Sequence, residues 1–201
     1  MKTQLRLSPA DAGQPLDLDD FLSASAQEGW RYELVEGELA VSPMPGMPHE
    51  DLVYWFVEAL RAYGRLWPTV LKRVMNPARV FLPVRAGRRA SAVEADIGCY
   101  RVYPTGPLVR RDWRQASPFL VIEVLSEDTA EKDLERNRRL YLRVPSIIEY
   151  WLLDPRESPD RPSLTILRRS GRRWTERRIE AGGTVTTPAL PGFALVLSPP
   201  E

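Results

Sequence analysis

Two apolar runs constrain the fold more than any other feature of this chain: Phe119-Leu120-Val121-Ile122-Glu123-Val124-Leu125, and Ile147 to Leu153. Each is short and almost wholly apolar, as a strand buried on both faces must be. Between them, Asp128-Thr129-Ala130-Glu131 has capping-box spacing, and Ala130, Leu134, Tyr141 and Val144 mark the inward stripe of a helix. A strand, a helix and a strand in that order predict a right-handed crossover joining parallel neighbours in a covered sheet. The fold class that follows is α/β, a mixed central sheet flanked by helices.

The rest of the chain fits around this unit. Asp17 caps a short helix through Leu18, Phe21 and Leu22 that Gly29 would end, and Glu36-Gly37 turns a hairpin between Tyr32–Val35 and Glu38–Val41. From Pro48 to about Trp67, Leu52, Trp55, Phe56, Ala59, Leu60 and Tyr63 recur at helical spacing. Strand-like runs follow at Val70–Val74, Arg79–Val84 and Ala95–Tyr100, then an irregular loop from Pro104 to Ser117. Ser163–Arg168, Arg173–Ile179 and Thr184–Thr187 predict an antiparallel meander that extends the sheet. At 201 residues one domain is expected over 1–201, with a poorly ordered N-terminus to about residue 15.

Several classes are excluded. No apolar run reaches the roughly 20 residues of a membrane helix, and a lone Cys99 suits a reducing cytoplasm and forms no thiolate metal site. There is no G-x-S-x-G elbow for a serine hydrolase and no Walker A loop. The net charge of +1 means that any phosphate binding is local, and nearly all the positive charge is arginine, with lysines only at 2, 72 and 132.

Two acids stand against their surroundings. Alternation puts Glu123 on one face with Phe119, Val121 and Leu125, and Leu120, Ile122 and Val124 on the other. A carboxylate between two buried faces is costly unless an arginine or a metal ion pairs with it. Asp96, among Val93, Ala95, Ile97 and Cys99, poses the same question. Two such acids on neighbouring strands make a minimal site for Mg²⁺. Glu149 is a third acid, expected to face solvent or pair with an arginine.

The order Tyr32-Glu33-Leu34-Val35-Glu36-Gly37-Glu38-Leu39, His49, Asp96, Val121-Ile122-Glu123-Val124-Leu125-Ser126, Tyr141 and Glu149-Tyr150-Trp151-Leu152-Leu153-Asp154-Pro155 resembles a large bacterial family of restriction-endonuclease-like proteins in the PD-(D/E)xK nuclease superfamily. The similarity runs from about Asp17 to Phe193. It implies a restriction-endonuclease-like sheet and metal-dependent hydrolysis of phosphodiester bonds in DNA. Asp96 and Glu123 would be ligands of Mg²⁺ or Mn²⁺, Glu33 a third acid, and His49 a residue that orients water or phosphate. It is also compatible with a homodimer, because restriction-like folds often cut as pairs.

Three departures from the family pattern matter. Ala95 precedes Asp96 where the family usually has proline, Leu125 stands two beyond Glu123 where many superfamily members carry lysine, and Asn137 matches the helix position where this family has its lysine. By α-helical spacing Leu134, Asn137 and Tyr141 face inward together, and Lys132 lies too far round to replace the lysine. An alternative function follows, a catalytically weakened nuclease fold that binds nucleic acid or a protein partner. If the fold still supports hydrolysis, Asn137→Lys should raise metal-dependent cleavage about 10- to 1000-fold, and Arg110, Arg111 and Arg114 in the 104–117 loop are candidates for phosphate contact.

Overall fold

The computed structural model describes residues 5–84, 87, 89–107, 112–127 and 132–199. Its hairpin forms where Glu36-Gly37 predicts it: β3 (Trp30–Val35) pairs antiparallel with β4 (Glu38–Pro43), and both turn residues take positive φ. A two-residue turn with both φ values positive matches the twist of the strands it joins. Ahead of it lie β1 (Arg6–Leu7), α1 (Leu18–Ser23) and β2 (Ser25–Ala26). The stretch expected to be poorly ordered thus carries a strand: β1 runs parallel to β2, and Leu7 is buried with Phe21 and Tyr32. The first helix stops at Ser23, well before Gly29.

The long helix α2 (Met47–Leu66) buries Leu52, Phe56, Leu60 and Tyr63 against Leu120, Ile122 and Trp151. Beyond it come β5 (Arg73–Met75), β6 (Ala78–Phe81), β7 (Ala92–Ala95), β8 (Ile97–Tyr100) and β9 (Leu120–Val124). The predicted third strand is therefore two strands, interrupted at Asp96. The first, β7, belongs to a four-stranded sheet ordered β4-β3-β7-β6; the second, β8, belongs to a six-stranded sheet.

A crossover through α3 (Arg138–Leu142) leads to β10 (Glu149–Asp154), which pairs parallel with β9 in the register Leu120↔Glu149 to Val124↔Leu153. The antiparallel strands β11 (Ser163–Ser170) and β12 (Arg173–Ile179) continue the sheet, giving β12-β11-β10-β9-β8-β5. The remaining pair, β13 (Thr184–Thr187) and β14 (Leu190–Val196), forms a separate two-stranded sheet. Its Val185, Leu190 and Phe193 cover the α2 side of the core. The six-stranded sheet is buried on both faces, with Leu120, Ile122 and Val124 in one cluster and Val121 and Leu125 in the other.

The segment before α3 departs from the α-helical expectation. Residues 128–131, where the capping box falls, lie outside the described residues, and Lys132–Asn137 wind as a π-helix. Asp133 and Asn137 are buried, whereas Leu134 is 38% exposed. With i→i+5 bonding, residues five apart nearly stack, so Lys132 and Asn137 project to the same side. A urea titration checks this register. Leu134→Gln should change stability by less than about 0.5 kcal/mol, as a surface substitution does; a buried Leu134 would make it far costlier.

Candidate active site

Asp96 is placed by strand register. Ile97 pairs with Ile122 across β8 and β9, so the next residues in the antiparallel ladder, Asp96 and Glu123, stand opposite each other. At this point the chain switches sheets, and the main-chain groups it frees bond the two acids instead. Asp96 N donates to Glu123 Oε2 at 3.0 Å, and Val124 N donates to Asp96 Oδ2 at 2.8 Å. Both carboxylates are almost completely buried.

Four further elements converge on the pair. From β3, Arg31 donates to Asp96 Oδ1 at 2.6 Å. From the first turn of α2, His49 Nε2 lies 3.0 Å from Asp96 Oδ2. Since an ionised carboxylate only accepts, Nε2 carries the hydrogen. The buried Nδ1 makes no hydrogen bond among the described residues but lies 3.4 Å from Glu50 Oε1. From the π-helix, Asn137 Nδ2 donates to Glu123 Oε1 at 3.2 Å and to Asp133 Oδ1 at 2.9 Å, and from α3 Tyr141 donates to Glu123 Oε1 at 2.7 Å.

The result is a cavity of about 100 Å³, lined by Arg31, His49, Asp96, Glu123, Ser126, Lys132 and Asp133, with Pro43–Gly46 along its rim. Glu33 stands one layer behind. It accepts from Glu94 N at 2.8 Å and from Arg136 at 2.6 Å, and it lies 3.7 Å from Lys132 Nζ. Lys132 Nζ is equally far from Asp133 Oδ1, so this lysine bridges the outer acid and the cavity.

The electrostatics are divided. Burial pushes the Asp96 carboxyl up, but His49, Arg31 and the Val124 N–H together hold it down at about 2. Glu123 moves the other way: burial, then the carboxylates of Asp133 and Asp96, push it well above the ordinary carboxylate range. Burial would strip Lys132 of its proton, yet Glu33, Asp133 and Glu123 outweigh it and raise its pKa. Glu33, despite burial, is held low by Lys132 and Arg136. The site therefore combines one firmly anionic carboxylate, one that burial and neighbouring carboxylates keep from ionising, and a lysine held in its charged form.

A pH dependence follows. Asp96 has a folded pKa below its ordinary 3.8, so its contribution to stability is full above that value and is lost as pH falls toward 2. Asp96→Asn should flatten the acid limb of a pH series of urea denaturations over that window. Glu123, raised in the folded state, has the opposite sign and weakens the fold as pH rises through its folded value.

All five residues singled out from the sequence fall in or behind this cavity: Asp96, Glu123 and His49 line it, Asn137 stands behind it on Glu123 and Asp133, and Glu33 is linked to it through Lys132. Sequence reasoning missed Arg31, Lys132 and Asp133. Alternation along β3 puts Arg31 on the same side as Glu33, which was a usable signal; Lys132 and Asp133 were hidden by the π turn. Glu149 is buried but elsewhere, bonded to Trp151, Arg168 and Thr187. Arg110 and Arg111 lie outside the described residues, and Arg114 pairs with Asp112 and Asp19.

The donor chemistry suits a hard cation. Among the described residues no three His, Cys, Asp or Glu side chains are arranged to hold a metal ion. Mg²⁺, however, commonly takes one or two carboxylates and completes its shell with water and substrate oxygen. Asp96 and Glu123 can supply these, and a cation would relieve the repulsion that raises Glu123. Among the described residues no helix is long and apolar enough to cross a membrane.

A family model described as "Putative restriction endonuclease", Uma2, matches residues 18–198. A crystal structure described as that of a putative nuclease belonging to DUF820, from Anabaena variabilis, superposes with a TM-score of 0.65 at 18% identity, over 91% of this chain and 96% of that one. The search of curated proteins found no match. The structural likeness shows a shared α/β fold, and the family match covers nearly the whole chain.

Proposed function

Since the chain belongs to the Uma2 family of restriction-endonuclease-like proteins, we propose that it is a cation-dependent endonuclease that hydrolyses phosphodiester bonds of DNA at the Asp96–Glu123 cavity. The observation that carries the reading is the register that sets Asp96 opposite Glu123, with Lys132 in the same cavity. Mg²⁺ or Mn²⁺, held by Asp96 and Glu123, would supply Lewis-acid polarisation of the phosphate and a more acidic water.

The chain's own groups do the rest. Lys132 Nζ retains its proton and can offset negative charge growing on the phosphate oxygens. His49 stands at the cavity wall with Nε2 on Asp96 and Nδ1 3.4 Å from Glu50 Oε1, so the two carboxylates fix the orientation of its ring. Asn137 and Tyr141 hold Glu123 Oε1, which fixes that carboxylate toward Asp96. Glu33 and Arg136 set the position of the lysine from behind.

Lys132 also bears on the weakened-nuclease alternative. That reading rested on Asn137 at the family's lysine position, and a charged lysine five residues earlier supports catalysis instead. The test is incubation of the purified protein with supercoiled plasmid and single-stranded DNA, with Mg²⁺ or Mn²⁺ and with chelator. Cleavage only when a cation is present is expected. A folded protein inert on both substrates with both cations would overturn the proposal in favour of the binding module.

A further inference from the structure

A groove of about 450 Å³ lies at the opposite end of α2 from His49, between that helix and the edge strand β5. Arg61, Arg65, Lys72 and Arg73 line it, no acidic side chain does, and Gly64 and Leu71 are part of its wall. All four cations are exposed. Several arginines elsewhere are neutralised at short range, as in Arg31–Asp96, Arg79–Glu94, Arg136–Glu33 and Arg156–Asp154. In the groove only Arg61 approaches a carboxylate, Glu58 at 3.9 Å, while Arg65, Lys72 and Arg73 form no ion pair among the described residues. In a chain of net charge +1, the groove gathers three such cations in one concave place without an acid in its lining.

We propose that this groove binds the sugar-phosphate backbone of a nucleic acid. Arg61 and Arg65 are i and i+4 on one helix face, so both guanidinium groups can reach the same groove, and guanidinium suits phosphate oxygens. Lys72 and Arg73 flank them from the sheet edge, with the Arg73 guanidinium 5.4 Å from the centre of the Tyr103 ring. The groove connects to the cavity through the sheet: Met75 in its wall pairs with Gly98, two residues beyond Asp96. Along α2, Arg61 and Arg65 lie about 18 to 24 Å from His49 at 1.5 Å per residue. That span corresponds to about five to seven base pairs of duplex. The groove would grip the substrate at that distance and carry no sequence information. The identity of the polyanion rests on the nuclease reading, but binding there does not require cleavage.

The test uses the full chain in chelator, where binding is measured without hydrolysis. Affinity for a duplex of about 20 base pairs is titrated across a salt series for wild type, for Arg65→Glu with Lys72→Glu, and for Arg172→Glu with Arg173→Glu. The last pair is exposed at the β11–β12 turn and carries the same charge change. The groove variant is expected to bind about 10- to 100-fold more weakly at low salt, and its slope of log K against log salt should be shallower by about 2. The turn variant should stay close to wild type. Equal binding by the groove variant, equal loss in the turn variant, or no binding by wild type would each overturn the inference. None of these touches the nuclease reading, which stands or falls on cation-dependent cleavage.

Discussion

Replacing Lys132 with methionine is expected to lower cation-dependent DNA cleavage about 10²- to 10³-fold, the usual cost of removing one preorganised donor from a site of developing negative charge. Lys132 is the cation of the cavity that is not committed to a single carboxylate at close range, standing 3.7 Å from both Glu33 and Asp133. Arg31, by contrast, is held by Asp96 at 2.6 Å and Arg136 by Glu33 at 2.6 Å. Methionine keeps most of the side-chain volume and removes only the charge. Single-turnover cleavage with the protein in saturating excess over the DNA would read the chemical step, and unchanged rates in Lys132→Met would sink the role. The same geometry reverses the expectation for Asn137→Lys. Asn137 is fully buried and shares its amide between Glu123 and Asp133, so a longer, charged side chain would displace both bonds and crowd Lys132. Asn137→Lys should fall below wild type.

Arg31→Met should destabilise the fold by up to about 3 to 5 kcal/mol, because removing one member of a buried ion pair leaves Asp96 with only His49 and the Val124 N–H to offset its charge. The Arg31 side chain is 12% exposed and its partner Asp96 2%. For a chain of this size that loss lowers Tm by about 6 to 20 °C. The loss should shrink as the medium is acidified toward the point where Asp96 itself takes up a proton, since the pair contributes only while that carboxylate is charged. A double-mutant cycle with Asp96→Asn separates the pair from simple packing: if the two losses add, Arg31 and Asp96 are not coupled and the electrostatic account of the site is wrong.

The parallel β9–β10 pair, the two-faced burial of Phe119–Leu125 and the β3–β4 hairpin were all legible in the sequence. Each depends on local periodicity or turn chemistry, which neighbouring residues carry within a few positions. The isolated acids were legible for the same reason: Asp96 and Glu123 break apolar patterns that packing alone would complete. The break of the strand at Asp96 was not legible, because sheet membership is decided by which distant strand each half meets, β6 and β3 for one and β5 and β9 for the other. Nor was the lysine. Reading residues 132–137 at α-helical spacing turned Lys132 away from the cavity and Leu134 into it, whereas the π turn does the opposite. A wider turn costs hydrogen-bond geometry. The bonds Asn137 and Tyr141 make to Glu123 and the bond Tyr150 makes to Asp133 O exist only once the strands are assembled. By itself the sequence determined which acids must be paired and roughly where they lie; the tertiary structure alone decided which cations meet them, because those contacts span 65 residues for Arg31 and 103 for Arg136 and leave no periodic trace.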